Sequence, residues 1–276
     1  MSSIPEIKRA RVGLVGCGAI GRSLACFVRD SLGPCAGMIA VCDAAETRAR
    51  ELAGALGASC EVLGLADLVA RCDLVIEAAS AAAAPVVLEE CLRGAKDLLC
   101  LSSAGLLSRP ELLNEVRAKG SRLLLPSGGL CALDGVKALA GQKDFQIALT
   151  TRKPARALVG APGLKIAPEK LLEISEETTV FEGNASEAAK AFPQNVNVAA
   201  TLYLATGGQT EPRVRIIAVP GTRENVHQLE VSGGFGRFSL EVGSFPSPEN
   251  PKTSQIAILS AEACLREYFD TVRVGT

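Results

Sequence analysis

The stretch GLVGCGAIGR, residues 13–22, decides the fold of this chain. Its glycines, Gly16, Gly18 and Gly21, follow the apolar run RVGLV (11–15) and open a segment with apolar residues at helical spacing, AIGRSLACFVRDSL. A strand that ends in such a turn and feeds a helix leaves the first helical N–H groups unpaired and pointing outward, where an anion can bind. In the pattern Gly-x-Gly-x-x-Gly the first glycine permits the sharp turn. The second lets a pyrophosphate approach the backbone, and the third lets helix and strand pack closely. A second strand, MIAVC (38–42), ends at Asp43, 22 residues beyond Gly21. A carboxylate there accepts hydrogen bonds from an adenosine ribose and repels a 2′-phosphate. The stretch therefore reads as a dinucleotide site made of Gly16, Gly18, Ala19, Ile20, Gly21 and Asp43, with NAD as cofactor. Arg48 nearby keeps NADP possible. The same glycines could also serve a tight structural turn and nothing more.

Outward from this motif, short apolar runs alternate with helical patterns. The runs DLVIEA (73–78), DLLCLS (97–102) and RLLLP (122–126) are separated from one another and from MIAVC by ETRARELAGALG, AAPVVLEECLRGA and RPELLNEVRAKG. Such alternation predicts an α/β domain of Rossmann type, a doubly wound parallel sheet with helices on both faces. At the end of one strand, Ala78, Ala79 and Ser80 are small enough for a dinucleotide to lie against the backbone; alanine also simply favours the helix that follows. After Pro126 the pattern changes to longer alternating runs, FQIALTTRK (145–153), RVRIIAV (213–219), NVHQLEV (225–231) and RFSLEVGSF (237–245). The last two are joined by SGGFG, a hairpin signal. Helical patterns lie at GLCALDGVKALAG, ASEAAKAF, NVAATLYLAT and SQIAILSAEACLREYF (254–269), with PSPENPKTS as a loop before the last. The second half is predicted to be an α+β domain with a largely antiparallel sheet. The expected division is a dinucleotide-binding domain over 1–126, to which the C-terminal segment 250–276 returns, and a substrate domain over 127–249.

Composition removes several function classes. The chain has 276 residues, is 48% hydrophobic, and carries 29 basic and 30 acidic residues scattered without blocks. Nucleic acid and anionic membrane are poor partners for such a surface. The N-terminal MSSIPEIKRA lacks the apolar core of a signal peptide, and the most apolar windows are broken by Glu77, Pro85 or Pro126, so a soluble cytoplasmic protein is expected. Nine of ten cysteines lie between Cys17 and Cys131 without a C-x-x-C, and there is one histidine. These are thiols of a reducing compartment, and no metal site is expected.

Three places could carry chemistry. His227, the only imidazole, could transfer protons near neutral pH; it also shares a strand face with Leu229 and Val231, as a hydrogen-bonded core histidine would. Asn197, near a helix start, could pair its amide with a nicotinamide carboxamide or cap the helix. Lys252, Thr253 and Ser254, opening the last helix, suit a carboxylate; equally, Ser254 is a cap and Lys252 a solvated charge. Asp134, Glu77 and Lys252 have no spacing that marks them as acids or bases.

The chain resembles the L-aspartate dehydrogenase family in GLVGCGAIGR, in PSGGLCALDGVKAL (126–139), in FPQNVNVAATLYLA (192–205) and in NVHQLEVSGGFGRFSLEVGSFPSPENPKTSQIAILSA (225–261), in that order and separation. The resemblance implies NAD(P)-dependent oxidation of L-aspartate to iminoaspartate, which hydrolyses to oxaloacetate and ammonia and can supply pyridine nucleotide biosynthesis. It implies a homodimer, a catalytic histidine at His227 and a nicotinamide-side asparagine at Asn197. The two carboxylates of such a substrate need cationic or N–H partners, for which Lys252, Thr253 and Ser254 are the candidates. Where the family reads Ser-Gly-Ala, this chain has Ser127, Gly128 and Gly129, so Gly129 lacks a methyl near the cofactor. Rival readings keep the fold. Homoserine dehydrogenases and dihydrodipicolinate reductases share it, as do sugar oxidoreductases, whose Glu-Lys-Pro after the fifth strand has no counterpart in LCLSSAG. A non-catalytic NAD-binding sensor would need a DNA-reading element or partner surface that the sequence does not display.

Overall fold

The computed structural model describes residues 9–131, 133–193, 196–247 and 250–275, with 246–247 and 250–253 described by backbone alone. The chain divides into two compact units. One holds the chain up to Ser102, with Arg109–Leu125 and Glu262–Thr271; the other holds Ser103–Ser108, Pro126–Ala261 and the residues after Thr271. Residues 250–276 are thus shared between the two units.

The first unit runs β1 (Ala10–Val15), α1 (Ala19–Ser31), β2 (Ala36–Cys42), α2 (Glu46–Leu56), β3 (Glu61–Val62), α3 (Leu65–Arg71), β4 (Leu74–Glu77), α4 (Ala83–Arg93), β5 (Asp97–Cys100), α5 (Glu111–Lys119) and β6 (Leu123–Leu124). Its sheet has the order β3-β2-β1-β4-β5-β6, and every pair is parallel. This is the predicted doubly wound sheet. The near-continuous apolar runs follow from coverage on both faces: Val12, Leu14 and all four residues of β4 are buried. Strand order reverses between β1 and β4, and ligands bind such sheets at the carboxyl ends flanking that point. Glycines stop α2, α4 and α5 at Gly57, Gly94 and Gly120, the last with φ of 72°. The sequence reading misses β3 and α3, because two exposed residues carry no periodicity and a seven-residue helix carries little. The C-terminal residues of this unit are tied in by the Tyr268 hydroxyl, which donates to Asp97 Oδ2 at 2.8 Å, and by Arg266 over the Phe27 ring.

The second unit begins with a 3₁₀ turn, Ser103–Ser108, and continues with α6 (Leu133–Lys137), β7 (Phe145–Pro154), α7 (Ala155–Leu158), α8 (Pro168–Leu172), β8 (Thr178–Asn184), α9 (Ala185–Ala191), α10 (Asn197–Ala205), β9 (Arg213–Val219), β10 (Asn225–Gly233), β11 (Gly236–Ser244), β12 (Pro246–Ser247) and β13 (Asn250–Ser254). The helix α11 (Gln255–Phe269) follows. The five-stranded sheet has the order β11-β10-β7-β9-β8; β7 and β9 are parallel and the other pairs antiparallel. One face, with Ile147, Leu149, Val214, Ile216, Leu229 and Val231, forms a core with Ala188 of α9, Phe192 at its C-cap, and Ala199 and Leu202 of α10. SGGFG is the expected hairpin: Gly233 pairs with Gly236, whose φ of 116° suits only glycine. The helix expected over GLCALDGVKALAG shrinks to five residues, and the expected loop PSPENPKTS contains the short antiparallel pair β12–β13. Among the described residues, no helix is long and apolar enough to cross a membrane.

Candidate active site

In the first unit, the turn after β1 is shaped by what its glycines exclude. Gly16 has φ of 99°, and a methyl there would sit 2.5 Å from the Ala78 carbonyl carbon. A methyl on Gly21 would overlap the Gly16 carbonyl oxygen, so α1 packs directly on the turn. At Gly18 a methyl meets nothing within 4 Å. Gly18 is also the N-cap of α1, which has no side-chain cap and no acidic residue in its first turn. A 13-residue helix with uncapped N–H groups beneath an open glycine fits a pyrophosphate, with Ala19 and Ile20 as its first residues.

Two carboxylates hold this cradle. Asp43 accepts the Cys17 N–H through Oδ2 at 2.7 Å and the Ala45 N–H through Oδ1 at 2.8 Å, so it braces the glycine turn as well as standing at the end of β2. Glu77 is completely buried. Its Oε1 accepts the N–H groups of Ala79 (2.8 Å) and Ser80 (3.1 Å) and the Ser102 hydroxyl (2.9 Å); Oε2 accepts the Ser102 N–H (3.0 Å) and the Cys100 thiol (3.3 Å). A buried carboxylate is tolerated only when its oxygens are satisfied, and here they shape the Ala78–Ser80 loop. The sequence signal for this role was a carboxylate closing a fully apolar strand. Burial, followed by the Asp43 charge, pushes the Cys17 thiol up to about 12, which removes it as a nucleophile.

In the second unit, the buried face shared by β7 and β10 turns polar at one end. Ile147 lies opposite Val231 and Leu149 opposite Leu229; the next pair is Thr151 and His227, and Lys153 follows Thr151 on the same face. The Thr151 hydroxyl and His227 Nδ1 share a 2.9 Å hydrogen bond. That bond fixes the imidazole so that Cδ2 and Nε2 face Gly129, where a methyl would lie 3.3 Å from both. Glycine at 129 therefore leaves room at the Cδ2–Nε2 edge of the ring. His227 is 5% exposed, and burial, reinforced by the Lys153 charge, depresses it to about 3. Burial likewise lowers Lys153 to about 8. The imidazole is thus neutral at neutral pH, the state that can accept a proton.

Asn197 is the first residue of α10 and does not cap it; Val196 occupies the N-cap without a side-chain bond. Its Oδ1 accepts the Ala104 N–H at 3.2 Å, and its carbonyl accepts the Ser103 hydroxyl at 3.0 Å. Val198, the next residue, lies 3.9 Å from the position a Gly129 methyl would take, so Gly129 sits between His227 and the start of α10. Gly128, with φ of 65°, donates its N–H to Ser260 Oγ at 3.0 Å. Ser254 closes β13, and its buried hydroxyl oxygen makes no hydrogen bond among the described residues. The side chains of Lys252 and Thr253 lie outside the described residues. The sequence reading missed Thr151 and Lys153, although TTRK sets polar residues at the buried parity of β7.

Comparison with known proteins bears on both units. Residues 16–126 match the family described as homoserine dehydrogenase, NAD binding domain, and residues 134–268 match aspartate dehydrogenase, C-terminal. The chain is 39% identical over 271 residues to an L-aspartate dehydrogenase of Methanosarcina acetivorans, covering 96% of this chain and 99% of that protein. It is 36% identical over 266 residues to one from Bradyrhizobium diazoefficiens, covering 96% and 94%. In fold it is similar to the crystal structure of aspartate dehydrogenase from Thermotoga maritima, with a TM-score of 0.71 and 21% identity over 97% of this chain and 100% of that one.

Proposed function

The chain belongs to the L-aspartate dehydrogenase family, and on that premise we propose that it is an NAD-dependent, cytoplasmic, homodimeric enzyme. It would oxidise L-aspartate to iminoaspartate, which hydrolyses to oxaloacetate and ammonia or supplies pyridine nucleotide biosynthesis. The observation that carries the reading is His227, a buried neutral imidazole fixed by Thr151 with its Nε2 edge toward Gly129.

Gly16, Gly18, Ala19, Ile20 and Gly21 would hold the pyrophosphate, Asp43 the adenosine ribose, and Ala78, Ala79 and Ser80 the chain between them. Gly129 and Asn197 would meet the nicotinamide; the Asn197 Oδ1 already accepts the Ala104 N–H, so its NH₂ is the group suited to a carboxamide oxygen. When bound, the nicotinamide supplies the acceptor for the hydride leaving the substrate's Cα.

His227 accepts a proton from the substrate ammonium, which frees the nitrogen lone pair as the C–H bond breaks. Once that proton has passed to solvent, His227 takes a proton from the water that adds to the imine carbon and returns it to the carbinolamine nitrogen, which leaves as ammonia while the carbinol hydroxyl gives up its proton to form the carbonyl. The two carboxylates of the substrate favour the protonated imidazole, opposing the burial and the Lys153 charge that depress it in the free protein. Lys252, Thr253 and Ser254 are proposed for the substrate carboxylates, and the unsatisfied Ser254 hydroxyl supports a polar ligand there.

The test is to mix the purified protein with NAD or NADP and a panel of amino and hydroxy acids, following reduced nicotinamide by absorbance. L-Aspartate with NAD should give the largest rate. A wide margin for homoserine or another alcohol, with aspartate silent, overturns the reading in favour of a related dehydrogenase. Nicotinamide binding without turnover of any substrate would point to a sensor.

A further inference from the structure

The turn closed by the Leu130 N–H on the Ser127 carbonyl holds two glycines that are there for different reasons. Gly128 has φ of 65°, the left-handed region that favours glycine. Gly129, buried beside it, lies outside that region, so its backbone would accept any residue and the missing side chain answers to its neighbours. Those neighbours are the imidazole edge and a valine: a methyl on Gly129 would lie 3.3 Å from Cδ2 and Nε2 of His227 and 3.9 Å from Val198 Cγ2. The ring does not swing aside freely, because Nδ1 is bonded to the Thr151 hydroxyl at 2.9 Å. Gly129 thus leaves a methyl-sized space with an apolar wall, beside the nitrogen assigned to the substrate amine.

An amine held by Nε2 at ~2.9 Å carries any carbon on its nitrogen at roughly 3.7 Å from Nε2. That carbon falls in the shell where a Gly129 methyl would stand, a few tenths of an ångström further out. Because it belongs to the substrate and not to the backbone, it can take the longer distance. Resting on the reading of the chain as an aspartate dehydrogenase with His227 as base, we infer that Gly129 opens the site to N-methylated amino dicarboxylates. N-Methyl-L-aspartate is then oxidised to oxaloacetate and methylamine. Its secondary ammonium gives one N–H proton to His227, the Cα–H bond breaks with its electron pair leaving as hydride to the nicotinamide, and the nitrogen lone pair forms the C=N bond of an N-methyl iminium. Water adds to that carbon, and methylamine leaves in place of ammonia. A residue with a side chain at 129 would contest the space that the N-methyl group needs.

The test compares L-aspartate with N-methyl-L-aspartate on the parent, on Gly129→Ala and on Val198→Leu, each variant first shown to melt near the parent temperature. Reduced nicotinamide is followed by absorbance, and methylamine and ammonia are measured separately by chromatography. Binding of each substrate is also titrated on the protein loaded with reduced nicotinamide, where no turnover occurs. The parent should release methylamine in step with reduced nicotinamide, at a kcat/KM within roughly 100-fold of that for aspartate. Filling the space should lower the ratio of the two kcat/KM values, and of the two affinities, by roughly 10–200-fold, the range set by one methyl group in an apolar pocket. An effect on the cofactor is common to both substrates and cancels in that ratio. A parent that oxidises aspartate but releases no methylamine overturns the inference, whatever the variants do. A parent that oxidises both, beside folded variants with an unaltered ratio, overturns the space at Gly129 as its cause. A parent that oxidises neither overturns the enzymatic reading, and this one with it.

Discussion

Replacing His227 by asparagine separates its chemical role from its structural one. The imidazole is 5% exposed, bonded through Nδ1 to Thr151 at 2.9 Å, and set against Gly129. An asparagine keeps a polar group opposite Thr151, so the threonine hydroxyl is not stranded, but it removes the nitrogen that takes up a proton. General acid–base assistance is worth ~10²–10⁴-fold, or roughly 3–5 kcal/mol of barrier, and kcat for aspartate should fall by that factor. The smaller side chain leaves part of the ring's volume empty beside Leu229. That costs about 1–2 kcal/mol of stability, a fall of a few degrees in Tm. The groups proposed to hold NAD stand on other elements, so the Kd for NAD should hardly change. The assay pairs steady-state absorbance of reduced nicotinamide with a fluorescence titration of NAD, on a variant first shown to melt within those few degrees. A well-folded His227→Asn protein retaining more than about a tenth of the parental kcat falls below the range of an acid–base catalyst and refutes the assignment. Thr151→Val is the companion. It leaves the imidazole but removes its orienting bond, worth about 1 kcal/mol, and should lower kcat roughly fivefold to tenfold with NAD affinity intact.

Asp43→Asn should shift preference toward NADP by removing the charge that repels a 2′-phosphate, while keeping an oxygen for the Cys17 or Ala45 N–H; Asp43→Ala should also lower Tm, because both N–H groups lose their acceptor, and an unchanged NAD to NADP ratio would remove Asp43 from the ribose. Gly18→Ala, where a methyl has open space, should leave the melting temperature near that of the parent and weaken NAD binding; Gly21→Ala, where a methyl overlaps the Gly16 carbonyl, should destabilise the fold itself, and equal melting of the two variants would contradict the packing described. Because His227 is held near 3, below its ordinary 6.5, the unfolded chain binds one more proton through that window, so unfolding free energy should rise with pH there by up to ~1.4 kcal/mol per unit. Lys153, held near 8 against an ordinary 10.5, has the same sign between those values. Denaturant titrations across pH should show a slope that His227→Asn flattens in the acid window and Lys153→Met in the alkaline one.

What could be read from the sequence is what depends on neighbours along the chain. The turn at Gly16–Gly21, the strand ending at Asp43, the glycine stops after α2, α4 and α5, and the hairpin at Gly233–Gly236 are set by backbone sterics and by apolar period over a few residues. The doubly wound sheet and the largely antiparallel second sheet were accordingly legible in the sequence. Short elements with little burial were not: β3 has two exposed residues, and β12 and β13 are held by pairing with each other. The same limit applied to chemistry. His227 stood out because it is the only histidine, but whether its face of β10 was apolar core or polar site depended on what lies across from it. The answer, Thr151, is 76 residues away in sequence. Glu77 was unmarked until β4 and β5 came together, and only then did Ala79, Ser80 and Ser102 converge on its carboxylate. Lys153 looked like one more charge in TTRK until the register of β7 turned it inward with Thr151. Register and burial belong to pairs of distant segments, and a one-residue slip would carry each of these side chains to the opposite face, so only the tertiary structure decided which polar residues meet.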